Sequence, residues 1–298
     1  MQGTYLITGG EGFIGRNIKQ YLQKNNCNAL TMDIDGKPDY MMSVTDFNSL
    51  MDIDEEFDGI FHLAATTSPP QFESDPLGGF NVNANGTLNI LEFAKRKKIR
   101  RMVLASSSAT YGNSGSISQE EIVPNTYSNL YPITKMIDEY LARYYTVRKE
   151  VECIPLRYFN TYGIGENSKA QYASVVWRFI TDLQNGRTPT IFGNGDQSRD
   201  FIYVEDTARA SVLAMEKGKP GESYNVGTGI TTNFNDIYRM VAEEMHSGIR
   251  AEHIPNPLKN YQYFTQADIT KARNDLGFKP EFDLRSGIRK MITETKSI

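Results

Sequence analysis

Cysteine is nearly absent from this 298-residue chain: Cys27 and Cys153 are the only two, far apart and in no Cys-x-x-Cys arrangement. That excludes a disulfide framework and gives no zinc-ligand spacing, so no metal site is expected and a reducing compartment fits. Long apolar runs are missing too. No stretch approaches the roughly 18 apolar residues of a membrane-spanning helix, and Met1 to Thr8 lack the basic start and apolar core of a secretory leader. The expectation is a soluble, cytoplasmic protein with no membrane partner. Charge of one sign is also scarce: 32 Lys plus Arg against 36 Asp plus Glu leave a net charge of -4. Nothing in that balance attracts nucleic acid, so an anionic ligand must be held by a local site. Finally, there is no repeat or low-complexity tract, and 39% hydrophobic with 23% charged residues excludes disorder.

What is present is a length of about two ordinary domains and an alternation of short apolar runs with longer amphipathic ones. Tyr5–Thr8, Ala29–Met32, Gly59–Leu63, Met102–Ser106 and Val151–Leu156 read as strands, most of them apolar on both faces. Phe13–Lys24, Asn83–Lys97 and Tyr131–Arg148 carry apolar residues at helical spacing between them. Parallel strands need crossover helices, so the pattern predicts an α/β fold with a doubly wound parallel sheet of the Rossmann type. After Tyr162 a Gly-rich polar stretch begins, followed by helices near Val175–Gln184, Val204–Glu216, Asn233–Met245 and Leu284–Ile292. The expected division is a nucleotide-binding domain over 1–162 and a smaller α/β substrate domain over 163–298. Residues 200–228 should return to the first domain, with Phe201–Tyr203 and Ser223–Val226 rejoining its sheet.

The first strand runs directly into Thr8-Gly9-Gly10-Glu11-Gly12-Phe13-Ile14-Gly15, which opens the first helix. Gly9 permits the tight turn, Gly12 lets backbone approach a pyrophosphate, and Gly15 lets helix and strand pack closely. Asp33, with Ile34 beside it, lies about 20 residues further on at the end of the second strand, where an acid accepts hydrogen bonds from an adenine ribose. An acid there repels a 2'-phosphate, which favours NAD over NADP. The alternative for Asp33 is a solvated turn residue beside Asp35 and Gly36.

Tyr131-Pro132-Ile133-Thr134-Lys135 puts a phenol and an ammonium four residues apart, on one helix face. A nearby cation favours the phenolate, so Tyr131 is a candidate base for a sugar hydroxyl. The strand ending in Ser106-Ser107-Ser108-Ala109-Thr110-Tyr111-Gly112 brings hydroxyls to a carboxyl-terminal strand edge, the ligand crevice of open α/β sheets. Turn and cap duty is the other reading of those serines, favoured for Ser106 and Ser108.

These motifs, with Phe-His-Leu-Ala-Ala (61–65), Asn-Ala-Asn-Gly-Thr (83–87), Leu-Arg-Tyr-Phe-Asn (156–160) and Arg-Asp-Phe-Ile-Tyr-Val-Glu-Asp (199–206), resemble the extended short-chain dehydrogenase/reductases, specifically the nucleotide-sugar epimerases. The resemblance covers nearly the whole chain. It implies Ser107 as the catalytic hydroxyl, Tyr131 as general base, and Lys135 as its modulator and a ligand of the nicotinamide ribose. It also implies cofactor contacts from Phe13, Ile14, Leu63, Ala64, Ala65, Asn83 and Phe159, with Ser43 and Val44 standing where the family usually has an acidic adenine contact. Arg199 and Asn160 resemble the ligands of the substrate diphosphate and sugar; for Arg199 the other reading is an ion pair with Asp200 or Glu205. A homodimer formed through 83–97 and 131–148 is implied as well. His62 reads as a packed residue.

Family members that eliminate water or carbon dioxide carry acids just after the catalytic hydroxyl, where this chain has Ser108 and Ala109. Reversible hydride transfer remains, with NAD as a regenerated cofactor. The expectation is a UDP-glucose or UDP-galactose (or N-acetyl) 4-epimerase. Residues 261–268, Tyr-Gln-Tyr-Phe-Thr-Gln-Ala-Asp, look more like the ADP-heptose 6-epimerases, which are the runner-up. Tyr261 is there either a nucleotide ligand or a core tyrosine. An NAD-dependent dehydrogenase, and a catalytically silent NAD-binding regulator, are the further alternatives.

Overall fold

The computed structural model describes residues 2–67, 69–113, 115–122, 124, 127, 129–167, 173–257 and 262–295. In chain order the strands are β1 (Thr4–Thr8), β2 (Asn28–Asp33), β3 (Tyr40–Met41), β4 (Gly59–His62), β5 (Arg101–Ser107), β6 (Glu152–Tyr158), β7 (Asn160–Tyr162), β8 (Thr190–Phe192), β9 (Ser198–Tyr203), β10 (Tyr224–Val226), β11 (Thr231–Asn233) and β12 (Glu252–Ile254). The helices are α1 (Phe13–Lys24), α2 (Phe47–Met51), α3 (Pro69–Ser74), α4 (Pro76–Phe80), α5 (Gly86–Arg96), α6 (Leu130–Val147), α7 (Val175–Gln184), α8 (Val204–Lys217), α9 (Phe234–Glu244), α10 (Thr270–Leu276) and α11 (Leu284–Thr295).

Among the described residues, seven parallel strands form one sheet in the order β3-β2-β1-β4-β5-β6-β10. Successive side chains point to opposite faces, and both faces are apolar, which is why the strands read as unbroken apolar runs. Tyr5, Ile7, Phe61, Val103, Ile154 and Leu156 pack with Ile18 and Leu22 of α1, with α8 and with α10. Leu6, Ile60, Met102, Leu104 and Cys153 pack with α2, α5 and α6 on the other side. Each such side chain contributes about 1.5 to 3 kcal/mol when fully buried. Register then decides where chemistry can sit: Thr8 pairs with both Met32 and His62, and Ser107 with Tyr158, so the carboxyl ends of these strands open along one edge.

The later half of the chain builds a second layer. Strand β9 pairs parallel to β7 and antiparallel to β11, while β12 pairs with β8. Its core joins Val176, Phe179, Ile180, Ile237, Val241, Ile288 and Met291 from α7, α9 and α11. Phe201–Tyr203 therefore does not rejoin the first sheet, contrary to expectation. Phe201 and Tyr203 meet Tyr162 edge-to-face, with ring centroids 6.1 and 5.5 Å away, and burying three aromatic rings together holds the strand in the second layer. Tyr224–Val226 does join the first sheet beside β6, and α8 packs its small residues against that sheet next to α1. Residues 81–85 form a π-helical turn leading into α5. The short helices α2 and α4 were not foreseen from periodicity; each starts with an aspartate cap, Asp46 accepting from Ser49 N–H at 3.2 Å and Asp75 from Gly78 N–H at 2.9 Å.

Candidate active site

At the edge of β1, Gly9 takes φ +67° and its N–H donates to the carbonyl of Met32 at 2.8 Å. A Cβ on Gly9 would lie 2.7 Å from the backbone nitrogen of Ala64, so only glycine lets the turn pass under the end of β4. Around Gly12 a Cβ would meet only the Gly9 carbonyl, at 3.1 Å, leaving a cradle open to an incoming group. Gly12 also caps α1 with no side chain, and no acid stands in the first turn, so the helix terminus is dressed for an anion. Phe13 is buried, and Ile14 is half-buried against the core.

Asp33 is held at the end of β2: its Oδ2 accepts from Glu11 N–H at 3.0 Å and its Oδ1 from Ile34 N–H at 2.8 Å. Those bonds orient the carboxylate rather than leaving it as a free turn residue, and the Ile34 side chain beside it is exposed. Ser43 bonds Thr45 Oγ1 at 2.8 Å, while Val44 is buried against Gly86 and faces the core, not the crevice. Leu63 and Ala64 continue from β4, tied to Thr8 by N–H donation to its carbonyl and its hydroxyl, 3.0 and 3.3 Å; Ala65 follows, half-buried. The cradle, the oriented acid and the crevice fit a dinucleotide such as NAD.

Asn83 is tied into the protein by three hydrogen bonds. It is fully buried, its oxygen accepting from Thr66 N–H at 2.8 Å and its amide donating to the Thr66 carbonyl at 3.0 Å and Thr134 Oγ1 at 2.9 Å. It clamps the loop after β4 to α6 and supports the crevice from behind. Phe159 is likewise buried, packed with Tyr111, Ala267 and Ile269.

Asn129 caps α6 by accepting from Tyr131 N–H at 3.1 Å, so Tyr131 stands in the first turn at the sheet edge, half-buried. The Phe72 ring of α3 lies 6.1 Å from it. Lys135 is one turn deeper, only 4% exposed, with Nζ 3.2 Å from Asp138 Oδ2. His62 sits beneath, between Thr8 Oγ1 at 2.7 Å and Thr87 Oγ1 at 3.0 Å. Burial, reinforced by the positive charge of Lys135, pushes the imidazole down to about 3, so it is neutral and structural. The cap expected of Ser106 and Ser108 is made by Ser107 instead. Ser107 caps the short turn over 108–111 by accepting from Ala109 N–H at 3.1 Å. Ser106 is buried and donates to Glu139 at 2.5 Å, within the Arg157–Glu139 ion pair of 2.8 Å. The Ser107 hydroxyl proton remains available to a ligand, because the cap uses only its oxygen.

On the far wall, Asn160 donates to the Asp200 carbonyl at 3.1 Å and to Thr265 Oγ1 at 3.0 Å, which turns its oxygen away from both. Arg199 is 6% exposed, donates to the Ser198 carbonyl at 2.9 Å and lies over the Phe234 ring. The acids weighed as its partners are engaged elsewhere: Asp200 accepts from Thr228 N–H and Oγ1, Gly229 N–H and Ala267 N–H, and Glu205 pairs with Lys290 at 2.8 Å. Tyr261 lies outside the described residues.

The family model for the "NAD dependent epimerase/dehydratase family" matches residues 5–227, spanning every strand of the parallel sheet. The chain belongs to that family. A relative from Methanocaldococcus jannaschii, provisionally named a UDP-glucose 4-epimerase, is 32% identical over 98% of both chains. Among solved structures, UDP-glucose 4-epimerase of Thermotoga maritima with UDP-glucose superposes with a TM-score of 0.92 at 27% identity, covering 99% of both chains. UDP-N-acetylglucosamine 4-epimerase of Methanobrevibacter ruminantium, in complex with UDP-N-acetylmuramic acid, gives 0.92 at 26% identity over 99% of both.

For this member of the epimerase/dehydratase family, sequence reasoning missed Phe72, Thr87, Thr134 and Asp138, which surround Tyr131 and Lys135. Only Asp138 had a legible signal: a carboxylate three residues after Lys135, on the same helix face and on the side that packs inward. Among the described residues no helix is long and apolar enough to cross a membrane, and no cluster of potential metal ligands occurs.

Proposed function

We propose that the chain is an NAD-dependent UDP-sugar 4-epimerase acting on UDP-glucose and UDP-galactose or their N-acetyl forms. The observation that carries this reading is the packing of the Tyr131–Lys135 helix against β5, which ends at Ser107, and against the turn after it, with Ser108 and Ala109 where elimination would need acids. Tyr131 takes the proton of the sugar 4-hydroxyl and returns it, and Ser107 holds the same oxygen by donation. Lys135 supplies positive charge beneath the phenol. When bound, NAD supplies the reversible two-electron oxidation of the sugar carbon. Gly9, Gly12 and Gly15 shape its pyrophosphate cradle, Asp33 and Ile34 its adenosine end, and Leu63 to Ala65 its crevice. Asn160 and Arg199 hold the substrate diphosphate, Arg199 by a bidentate fork. The second layer, mainly 163–298, is the nucleotide-sugar side.

The site of action is the cytoplasm and the working form is a homodimer. Leu88 on α5, with Tyr140, Tyr144 and Val147 on α6, supports this: they form an exposed apolar surface, and the α6 residues fall at helical spacing. Solution mass reads the assembly, and only monomer at working concentration removes it from the proposal. For the activity, purified protein with NAD is incubated with UDP-glucose, UDP-galactose, both N-acetyl forms and ADP-heptose, and the products are resolved. The expected result is interconversion of a UDP pair without accumulation of reduced cofactor. No epimer from any UDP sugar overturns the reading, and a product from ADP-heptose alone replaces it with the 6-epimerase.

A further inference from the structure

Lys135 is a buried cation, and burying an ammonium requires a countercharge. Asp138, wholly buried one helical turn on, provides it with Oδ2 at 3.2 Å. Its other oxygen lacks a well-aligned hydrogen bond, and the Thr87 hydroxyl on α5 is the group placed to supply one. Thr87 is in turn bonded to His62 Nε2, and His62 Nδ1 to Thr8 Oγ1. The directions follow from the donors available. A carboxylate can only accept, so the proton that Thr87 offers Asp138 leaves Thr87 Oγ1 to accept from His62 Nε2–H. The neutral imidazole then has a bare Nδ1, which accepts from the Thr8 hydroxyl. All five residues are buried.

We propose that Asp138 is a positioning residue for Lys135: it fixes the ammonium and offsets its charge beside Tyr131, and a hydrogen-bonded chain from Thr8 at the cofactor cradle through His62 and Thr87 holds it in place. The proposal rests on the reading of Lys135 as part of the reacting site. Other ionisable groups facing this cluster are few. Burial raises the Asp138 carboxyl to about 6 against the opposing pull of Lys135, and Glu139, next on α6, is neutralised by Arg157 on β6. His62 on β4 is uncharged.

Asp138→Asn keeps the shape and removes the charge. An ammonium freed of its carboxylate draws more strongly on the phenol and gives up its own proton more readily. Both limbs of the turnover profile should therefore move about one pH unit toward acid, while Asp138→Glu keeps the wild-type position. NAD affinity, measured by calorimetry between about pH 6 and 10, should begin to fall about one unit earlier in the Asn variant, and this readout needs no substrate. A folded Asp138→Asn protein with both profiles unchanged overturns the proposal, even if it melts earlier. Where that variant does not fold, Thr87→Val carries the same test with a shift of about half a unit, and no shift is fatal. Lys135→Met separates the two ideas. If it leaves turnover and the NAD profile as in wild type, the site reading fails and takes this proposal with it; if it changes them while Asp138→Asn does not, only the role of Asp138 falls.

Discussion

The two walls of the crevice are built differently. The wall proposed for the cofactor is made of consecutive residues at strand ends, 8–15, 33–34, 62–65 and 106–112, brought level mainly by parallel register. The wall proposed for the sugar is held by single buried side chains that tie distant loops. Asp200 gathers Thr228, Gly229 and Ala267 with four hydrogen bonds of 2.6 to 3.0 Å, and Asn225 reaches both Ser118 and Asp268. A wall set by register shows in sequence as a contiguous motif. One set by a polar hub shows as isolated residues whose partners are chosen by the fold. The two walls should accordingly fail in different ways when altered.

Tyr131 stands where the walls meet, and Tyr131→Phe should lower turnover by about a thousandfold while leaving NAD affinity as in wild type. Initial rates and calorimetry read the two, and near-normal turnover removes Tyr131 as the base. On the cofactor wall, Gly9→Ala forces a Cβ against Ala64 at a positive φ. It should cost about 2 kcal/mol of stability, read by urea unfolding, and lower NAD affinity at least about tenfold. On the sugar wall, Arg199→Ala should raise the substrate KM about tenfold with NAD affinity unchanged. A fall in NAD affinity instead would erase the distinction between the walls.

An effect confined to acid pH concerns the floor beneath both. His62 is held neutral in the fold, with its pKa lowered to about 3 by burial and Lys135, against about 6.5 unfolded. Below that value the unfolded chain binds a proton that the folded one refuses, so the stability contributed at neutral pH is lost as pH falls from about 6.5 toward 3. The slope is at most about 1.4 kcal/mol per pH unit. His62→Gln should flatten it in urea unfolding at a series of pH values, and an unchanged slope would mean that other groups govern acid sensitivity.

The sequence was most readable where local pattern and burial agree. The bounds of α1 and α7 match the periodic segments residue for residue, and the five expected strands fall within one to two residues of those found. The cradle, Asp33 and Tyr131–Lys135 were legible because each is a short motif at an element end. That the Asn83 and Val44 side chains are buried was not legible, because spacing cannot tell a side chain that faces the crevice from one that faces the core behind it. The cap at Ser107 was missed for a similar reason: adjacent strand residues face opposite sides, and only the position of Glu139 decides that Ser106 is captured.

Composition, periodicity and glycine placement were enough to specify the parallel sheet and the cradle after β1, and the ordered motifs carried the resemblance that implied the chemistry, because these depend on residues close in the chain and on a period that repeats. The pairing of β9 with β7, the Asp200 hub and the line from Thr8 to Lys135 depend on residues drawn from separate elements. Their partners exist only after the chain has folded, since hydrogen bonds and buried charges are short-range and are chosen by whatever packing brings within about 3 Å.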